Sequence, residues 1–429
     1  MFQNRVFRRV TALVLTVTLA AAAALPCFAV HPMPIQTAAE TEAVYLFDLD
    51  TGKTILAQNA DQPRYVASLT KLMTAFLLLE SDKDLNGETN VSTVLAQEFK
   101  DIQNANGTTA SLRIGEDVRR IDLLYAMLVS SANDASSVIA YDLAGSLTGF
   151  VQQMNDRARA LGCTNTNFTC AHGLYDYGNV STAEDIAKIA QACYANETFV
   201  QAASAASYTM PATNLHKNER TISSKMPLTD PESEFYRGDI RCAKGGFTTL
   251  AGRCITAFAE RDGHTYGLVI LGSDTENIYR ECVELFDWVF ESFAERPLVD
   301  TQTVLTTLPL TKCRTDAVVE LYAVEPLSGY GHADDPVSYV FDLPESVSAT
   351  VKEGQILGTA TVYLDGYEVG TVELATHRKY VSNFSTDIKA TFLLLCVLVL
   401  VLCVLGFATL VAGGGSLNLG KYRGRHRRK

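Results

Sequence analysis

One apolar run near the C-terminal end of the chain limits how every other part can be arranged. Residues 390–412, ATFLLLCVLVLVLCVLGFATLVA, contain no charged side chain, and as a helix they extend roughly 34 Å, enough to cross a bilayer. The tail behind them, KYRGRHRRK, carries six Lys or Arg side chains, and such segments stay on the cytoplasmic side of a membrane. We therefore predict a transmembrane helix over 389–412 and a cytoplasmic tail over 413–429; a buried core helix is the alternative.

The first residues of the chain indicate export. The segment NRVFRRV supplies three arginines before an uncharged apolar run, which ends at Ala29, a small residue suited to cleavage. This order predicts a signal peptide over 1–29 and a linker over 30–41. Both ends of the chain thus agree on one orientation, a single-pass protein of the cell membrane whose folded part faces the extracellular side.

The charge of the exported part excludes one large class of partners. Removing the three signal arginines and the six tail cations from the net charge of −12 leaves −21 for residues 30–420. Phosphate backbones repel such an acidic protein, so nucleic acid is not an expected partner. With 429 residues and 47% hydrophobic composition, the chain can bury a large core, and we expect two folded domains.

The cysteines and histidines give no sign of a metal site. There is no Cys-x-x-Cys pair and the seven histidines are scattered, so neither a metal nor a cofactor is expected. Setting aside Cys27 in the signal and Cys396 and Cys403 in the apolar run, seven cysteines remain. This odd number leaves at least one of them unpaired within the chain. The most local possible disulfide joins Cys163 to Cys170.

Hydrophobic periodicity divides the exported part into two regions. AVYLFDLDTGKTILAQN, from Ala43, has the pattern of two strands, and helical patterns follow it. Strand patterns return at Arg241 and include a hairpin about Asp262–Gly263. We therefore predict an α+β domain over 42–296 with an N-terminal edge strand in its sheet. Only short strand-like runs follow, which predicts a small all-β domain over 297–380.

Two local signals mark helix ends within the helical region. Gly162 follows GFVQQMNDRARAL and is a natural stop. Ser181 and Glu184 have the spacing of a capping box ahead of DIAKIAQACYA.

The segment YVASLTKLMTAFLLLE, residues 65–80, places a lysine inside an apolar helical pattern. In one interpretation Ser68 caps the helix and Lys71 extends to solvent. In the other, Lys71 lies on the same helix face as Ser68 and serves as the base for its hydroxyl, because a desolvated lysine can be neutral near physiological pH. Of the fourteen lysines, only Lys71 has a serine three residues before it.

Two further segments supply the remaining groups needed for acyl transfer. SSANDAS contains Ser131 and Asn133, and Lys244 is followed by Gly245 and Gly246 in a predicted strand. Each segment has a plain structural interpretation, as a helix-capping turn and as a glycine-rich strand end. Together with the Ser-x-x-Lys pair they provide a nucleophile, two cations, a second hydroxyl and an amide, which are the groups for acyl transfer through a serine ester.

In these residues the sequence resembles the serine D-Ala-D-Ala carboxypeptidases, the low-molecular-mass penicillin-binding proteins. The resemblance extends from Ala43 to about Leu374. It rests on ASLTKLMT, SSANDA, HGL, STAEDIA and KGGFTTLAGRC, and on VKEGQILGTATVYLDG in the predicted all-β domain. It implies a penicillin-binding/serine β-lactamase-like fold, in which an antiparallel sheet has flanking helices and is followed by a small all-β domain and a C-terminal membrane anchor.

The resemblance also implies a reaction, the removal of the last D-Ala from peptidoglycan stem peptides that end in D-Ala-D-Ala. Ser68 is expected to attack the penultimate carbonyl with Lys71 as general base. Ser131, hydrogen-bonded to Lys244, is expected to relay the proton to the leaving amine, and the backbone amides of Ser68 and Phe247 to hold the oxyanion. β-Lactam antibiotics are expected to be covalent inhibitors, and the activity to trim the cell wall. The expected substrate-binding residues are Asn133, Lys244, Gly245, Gly246, Phe247 and Thr248.

Three departures from the family pattern occur in this sequence. Gly245 stands where the family usually has threonine, Cys242 where it usually has glycine, and CAHGL where NPHGL is common. In the family the threonine donates its hydroxyl to the terminal carboxylate of the substrate, so glycine removes a donor. Gly245 therefore suggests a different function, that of a weakly active wall-binding protein.

Two further hypotheses keep the serine chemistry. A class A-like β-lactamase uses a glutamate to activate the deacylating water, and no Glu occurs between Glu116 and Glu184, where it would be expected. A D,D-endopeptidase of peptidoglycan cross-bridges would use the same motifs, although the all-β domain favours a carboxypeptidase. His172, in HGL, is interpreted as part of a structural turn, because the Ser-Lys pair already supplies the base.

Overall fold

The protein, seen here as a computed structural model, forms two compact units, one ending at residue 294 and the other beginning at residue 295. The predicted signal peptide and basic tail lie outside the described residues, as does most of the predicted linker. The described residues are 31–35, 42–174, 177–273, 277–311, 317–381 and 384–412.

Strands enclose a helical region along the first unit, as the sequence predicts. The strands are β1 Ala43–Asp48, β2 Thr54–Gln58, β3 Arg64–Tyr65, β4 Glu88–Asn90, β5 Asp117–Arg119, β6 Val180–Ser181, β7 Ser207–Met210, β8 Arg220–Ser223, β9 Ile240–Thr248, β10 Gly252–Arg261 and β11 His264–Ser273. The helices are α1 Thr70–Glu80, α2 Ala96–Asn104, α3 Arg120–Val129, α4 Asn133–Ala144, α5 Leu147–Ala160, α6 Ala183–Tyr194, α7 Glu197–Ser204 and α8 Ile278–Ser292.

A five-stranded antiparallel sheet, in the order β2-β1-β11-β10-β9, forms the centre of this unit. The N-terminal strand β2 is one edge, which confirms the predicted edge strand. The turn between β10 and β11 lies at Asp262 (φ +54°) and Gly263 (φ +84°), as expected for a tight hairpin whose central residues both take positive φ. Strand β9 is the other edge of the sheet, and it carries the Lys-Gly-Gly triplet.

Helices cover both faces of the sheet. On one face, Val269 and Leu271 of β11 join a core formed with helices α1 to α7. The alternate residues Leu268 and Ile270 are buried on the other face, and α8 contacts β10 and β11. Because β11 is covered on both sides, its sequence is apolar almost throughout, HTYGLVILGS.

The second unit is all-β up to its final helix, as predicted. Two of its strands pair with each other (β12-β15), and six form a sheet in the order β16-β18-β19-β14-β13-β17. The strands are β12 Phe293–Val299, β13 Thr306–Thr311, β14 Val318–Ala323, β15 Leu327–His332, β16 Val337–Asp342, β17 Val347–Ser348, β18 Ile356–Leu364 and β19 Tyr367–Ala375. Alternate residues of β14 and β18, such as Val319, Leu321, Ala360 and Val362, form its core.

Helix α9, Phe384–Ala412, follows the β-strands. Its stretch Ile388–Thr409 has a mean hydropathy of 3.0 and is long and apolar enough to cross a membrane, by length and composition. The domain bounds expected from the sequence, 42–296 and 297–380, stay predictions.

Candidate active site

Ser68 lies in a 3-10 turn, Ala67–Leu69, that leads directly into helix α1. Ala67 has a φ of +46°, a conformation that is costly for a residue other than glycine and that is frequent at functional sites. No side chain caps the start of α1, and Ser68 Oγ instead lies 2.9 Å from Lys71 Nζ. The interpretation of Ser68 as a helix cap is therefore wrong.

Lys71 is completely buried, so the interpretation in which it extends to solvent is also wrong. Its Nζ lies 2.8 Å from Asn133 Oδ1 and 2.5 Å from the backbone oxygen of His172. Both partners are carbonyl oxygens, which only accept hydrogen bonds. A neutral lysine has two N–H donors, which these oxygens occupy, and its remaining lone pair then faces the Ser68 hydroxyl.

The electrostatics favour this neutral form. Burial lowers the pKa of Lys71 well below its ordinary value of 10.5, and the positive charge of Lys244 lowers it further. The charges of Cys170 and Asp134 oppose the shift without cancelling it. Lys71 thus has the position that a general base needs, and its lowered pKa favours the neutral form.

Ser131 and Lys244 form a second hydroxyl–lysine pair in the site. Ser131 lies between helices α3 and α4 with a φ of +63°, and Lys244 Nζ donates to its Oγ at 3.0 Å. Lys244 also donates to the backbone oxygen of Gly245 at 2.7 Å. Burial lowers the pKa of Lys244 to about 7, so near neutral pH this side chain can both hold and release a proton.

Asn133 begins helix α4 and is held in place by the loop before it. Its Nδ2 donates to the Thr108 backbone oxygen at 3.0 Å, while its Oδ1 faces Lys71. The neighbouring carboxylate of Asp134 accepts hydrogen bonds from the backbone N–H groups of Ala110 and Leu112. Sequence reasoning missed this role of Asp134, for which an acidic residue in the first turn of a helix is the available signal.

Strand β9 brings the Lys-Gly-Gly triplet against the nucleophile turn. A Cβ atom at Gly246 would lie 2.8 Å from the Ser68 backbone nitrogen, so only glycine allows this approach. Gly245 faces elsewhere, since a Cβ there would meet Met226 Cε at 3.3 Å. Phe247 is exposed, with the Arg253 guanidinium 5.5 Å from its ring centroid.

Thr248 ends β9, and its hydroxyl accepts a hydrogen bond from the backbone N–H of Ala251 at 3.0 Å. This bond closes the turn towards β10. The structure therefore brings Ser68, Lys71, Ser131, Asn133, Lys244 and Gly246 together. Gly245, Phe247 and Thr248 lie on the same strand as Lys244 and Gly246.

The HGL segment forms a turn beneath Lys71, as the sequence interpretation expects. The His172 ring is engaged, because its Nε2 lies 2.8 Å from Glu98 Oε1 and its Nδ1 accepts from the Leu174 backbone N–H at 3.0 Å. Burial alone lowers the pKa of His172, but hydrogen bonds with Cys170 and Glu98 outweigh it and leave the pKa raised. His172 acts on the site through its backbone oxygen, and no sequence signal pointed to its partner Glu98.

Gly173 allows this turn to pack closely against the Ser68 turn. It has a φ of +78°, and a Cβ atom there would overlap the Ala67 backbone oxygen, at 1.8 Å. The turn is also fastened to helix α1, since Thr74 Oγ1 donates to the Ala171 backbone oxygen at 2.6 Å. Residues 170–174 and the Ser68 turn are therefore one closely packed structure.

The structure contains no disulfide between Cys163 and Cys170, the most local pair that the sequence allowed. Both thiols are free. Cys163 donates to the Asp185 backbone oxygen, and Cys170 accepts from the Gly173 backbone N–H. Each sulfur is thus held by its own local structure.

Residues 29–275 match the family described as D-alanyl-D-alanine carboxypeptidase. The chain belongs to this family. Residues 315–382 match a second family, the C-terminal domain of penicillin-binding protein 5. The predicted family and the predicted serine-type hydrolase activity are therefore confirmed.

The relatives of this chain include proteins named for two activities, carboxypeptidase and endopeptidase. The chain is 27% identical over 336 residues to D-alanyl-D-alanine carboxypeptidase DacF of Bacillus subtilis, covering 77% of this chain and 83% of that protein. It is 29% identical over 231 residues to the D-alanyl-D-alanine endopeptidase of Escherichia coli, covering 53% of this chain and 69% of that protein. The longer match to the carboxypeptidase agrees with the main prediction from the sequence.

Solved structures confirm the fold class. Penicillin-binding protein 5 from Haemophilus influenzae has a TM-score of 0.58 with this chain at 23% identity, covering 82% of this chain and all of that chain. At this identity the similarity concerns the fold, which is the α+β penicillin-binding arrangement expected from the sequence.

Proposed function

We propose that this carboxypeptidase removes the terminal D-Ala from peptidoglycan stem pentapeptides through an ester on Ser68, with Lys71 as its general base. The observation that carries the proposal is the set of Lys71 contacts. Two carbonyl oxygens occupy the N–H donors of a neutral amine, and the third direction leads to Ser68 Oγ at 2.9 Å. This geometry is the nucleophile–base contact that serine activation requires.

In the acylation step Lys71 takes the Ser68 proton as Oγ attacks the carbonyl of the penultimate D-Ala. The negative charge on the carbonyl oxygen is held by the backbone N–H groups of Ser68 and Phe247, and such a donor typically contributes about 3 kcal/mol. Support comes from Gly246, whose missing side chain leaves the space in front of the Ser68 nitrogen open.

Departure of D-Ala needs a proton on its amine, and Ser131 relays it. Lys244, 3.0 Å from Ser131 Oγ, supplies the proton, and its charge attracts the terminal carboxylate of the substrate. The substrate lies along β9, an edge strand whose free backbone groups can pair with an added peptide. Asn133, Gly245, Gly246, Phe247 and Thr248 line this path. Asn133 Oδ1 retains a second lone pair for a substrate N–H.

Water then hydrolyses the Ser68 ester, and this step is slow when the acyl group comes from a β-lactam. In a class A-like β-lactamase a glutamate activates that water, and the chain has no Glu between Glu116 and Glu184. Glu98 does not replace it, because its carboxylate is engaged by His172 and the Ser137 hydroxyl. β-Lactams are therefore covalent inhibitors of this enzyme and not its substrates.

Endopeptidase activity on cross-bridges is the second candidate, because an endopeptidase is among the named relatives. The match of residues 315–382 to the C-terminal domain of a penicillin-binding protein favours the carboxypeptidase. The third candidate, a weakly active wall-binding protein, rests on Gly245 alone, and the remaining hydroxyl, lysine and amide groups of the site are present and in contact.

We also propose that helix α9 anchors the enzyme in the cell membrane, with the peptidase outside and the basic tail inside. The apolar stretch Ile388–Thr409 and the six cations after it support this topology. Peptidoglycan lies on that side of the membrane, so the proposed location places the site beside its substrate.

The test is acylation by benzylpenicillin, followed by mass spectrometry of the peptide YVASLTK and by digestion of defined muropeptides. We expect one adduct on Ser68, none in Ser68→Ala, slower acylation in Ser131→Ala, and release of D-Ala from a pentapeptide. An adduct on another serine, or rapid turnover without an adduct, would contradict the mechanism. Cleavage of a cross-bridged dimer in preference to the pentapeptide would favour the endopeptidase.

A further inference from the structure

The turn beneath Lys71 is organised around a cysteine for which the proposed reaction has no use. Cys170 Sγ accepts a hydrogen bond from the Gly173 backbone N–H at 3.3 Å and lies 3.8 Å from the Leu174 backbone oxygen. The sulfur therefore holds both sides of the turn 170–174. This cysteine is the first residue of CAHGL, one of the departures from the family pattern.

Cys170 belongs to a Cys–His–Glu cluster. Burial raises the pKa of its thiol, but the hydrogen bond and charge of His172 and two backbone N–H groups outweigh burial and leave the pKa lowered. His172 is in turn supported by Glu98, 2.8 Å from Nε2. The cluster therefore increases the fraction of Cys170 that is present as the thiolate, which is the nucleophilic form of cysteine.

The other described cysteines of the first unit differ in every respect that matters for reactivity. They are buried, whereas Cys170 is partly exposed. Burial raises their pKa, to about 12 for Cys163, Cys242 and Cys254, and well above the ordinary value for Cys193 and Cys282. A thiol reagent at neutral pH should therefore distinguish Cys170 from these five.

The sulfur is also coupled to the catalytic base through the backbone of its own turn. Lys71 donates to the His172 backbone oxygen and Thr74 to that of Ala171, so the turn positions helix α1 at two consecutive residues. Gly173 lies against the Ala67 backbone oxygen with no room for a methyl group. We expect a group added to the Cys170 sulfur to displace its contacts with the Gly173 N–H and the Leu174 oxygen, and so to move this backbone.

We propose that Cys170 is a thiol-exchange site at which small disulfides switch the peptidase off. The Cys170 thiolate attacks one sulfur of a low-molecular-mass disulfide R–S–S–R. A Cys170–S–S–R bond forms, the original S–S bond breaks, and the leaving R–S⁻ takes up the proton that Cys170 has lost. Cys170 is oxidised and one R–S group is reduced, so the step needs no further reagent, and a dithiol reverses it.

The loss of activity follows from the displaced turn. With residues 170–174 moved away, Lys71 loses the His172 oxygen that orients its lone pair towards Ser68. Misplacing a catalytic group by about 1 Å can cost about a hundredfold in rate. This half of the proposal rests on the function proposed above, whereas formation of the mixed disulfide and its effect on folding stability do not.

The test uses the full chain carrying Cys27→Ser, Cys313→Ser, Cys396→Ser and Cys403→Ser, which removes the cysteines outside the first unit. The protein is treated with bis(2-hydroxyethyl) disulfide at pH 7. We expect one mixed disulfide, located by peptide mass spectrometry on Cys170, a benzylpenicillin acylation rate lower by about a hundredfold, and a lower midpoint of thermal unfolding. Dithiothreitol should remove the mixed disulfide and restore both the acylation rate and the unfolding midpoint.

Cys170→Ser is the matched control, because its hydroxyl keeps an acceptor for the Gly173 N–H. It should acylate at nearly the rate of the untreated parent and be unaffected by the disulfide. Glu98→Gln removes the carboxylate that engages His172 Nε2 and helps to raise the pKa of His172, and it should slow adduct formation several-fold.

Two results would overturn the proposal. One is reaction of the buried cysteines as fast as Cys170. The other is a Cys170 adduct that leaves both the acylation rate and the unfolding midpoint unchanged. If the untreated protein binds no penicillin, the proposed function fails, and the adduct and the unfolding midpoint still decide the thiol-exchange site.

Discussion

The substitution Gly245→Thr tests how this enzyme recognises the terminal carboxylate of its substrate. Gly245 lies in the edge strand β9 opposite Ile255, and it is not among the residues with positive φ. A threonine can therefore adopt its backbone conformation. The nearest atom to a new Cβ is Met226 Cε, at 3.3 Å, the flexible end of a side chain that can move by a few tenths of an ångström.

The magnitude follows from two opposing effects. A hydroxyl that donates to a carboxylate contributes about 2 kcal/mol, within the range for hydrogen bonds to charged groups. Moving the Met226 side chain from its preferred rotamer costs about 1 kcal/mol. The difference of about 1 kcal/mol corresponds to an increase of about fivefold in kcat/KM. Thr248 does not already supply this donor, because it lies three residues beyond Gly245 in β9 and its side chain therefore points to the opposite face of the strand.

The assay compares two peptides that end in D-Ala-D-Ala, one with a free terminal carboxylate and one with that carboxylate amidated. Gly245→Thr should raise kcat/KM for the first and change the second little. Gly245→Val has nearly the same shape without the hydroxyl, so it should show only the cost of moving Met226. Equal effects on both peptides, or a valine variant as active as the threonine variant, would refute the reasoning and mean that the carboxylate is recognised elsewhere.

A pair of glycine substitutions tests the packing around the site, and a truncation tests the role of helix α9. Gly173→Ala should destabilise the protein by about 2 to 4 kcal/mol in chemical denaturation and should slow acylation, because it combines left-handed backbone strain with a clash that moves Ala67. The control is Gly162→Ala, at a position with φ +76° and open space around it, which should cost only the strain of about 1 kcal/mol. Equal losses of stability in the two variants would contradict the clash. A protein limited to residues 30–385 should stay in solution without detergent and keep its kcat/KM, and loss of activity in a folded truncated protein would show that α9 does more than anchor the enzyme.

The chemistry of the site could be predicted from the sequence where the spacing is local. Lys71 follows Ser68 by three positions, and one helix turn is enough to bring their side chains together. Ser131 and Lys244 are 113 residues apart, and only the family resemblance placed them in one site. The sheet could be predicted for a similar reason, since strands β10 and β11 form one hairpin about Asp262 and Gly263.

What the sequence did not predict are contacts that join distant residues without a pattern. Glu98 is a polar residue on an amphipathic helix, and nothing around it indicates that its carboxylate would meet His172. The predicted capping box is wrong by one residue. Thr182, and not Ser181, accepts from the Asp185 backbone N–H, because the Ser181 hydroxyl is bonded to Thr166 from another part of the chain.

The two buried lysines predict a pH profile that differs from that of a single base. Acylation needs neutral Lys71, so the rate should rise with pH through the lowered pKa of Lys71. It also needs protonated Lys244, so the rate should fall as pH passes the Lys244 pKa, at about 7. The dependence of benzylpenicillin acylation on pH should therefore be bell-shaped, with its alkaline limb near neutrality.

Lys244→Gln separates the two limbs. It should lower the rate and remove the alkaline limb. It should also move the acid limb to higher pH, because the positive charge of Lys244 is one of the causes that hold the pKa of Lys71 down. Lys188→Gln, which removes a surface lysine paired with Asp185, should leave the profile unchanged. An acid limb that does not move in Lys244→Gln would mean that the two lysines titrate independently, and the assignment of Lys71 as a base tuned by its neighbour would then be wrong.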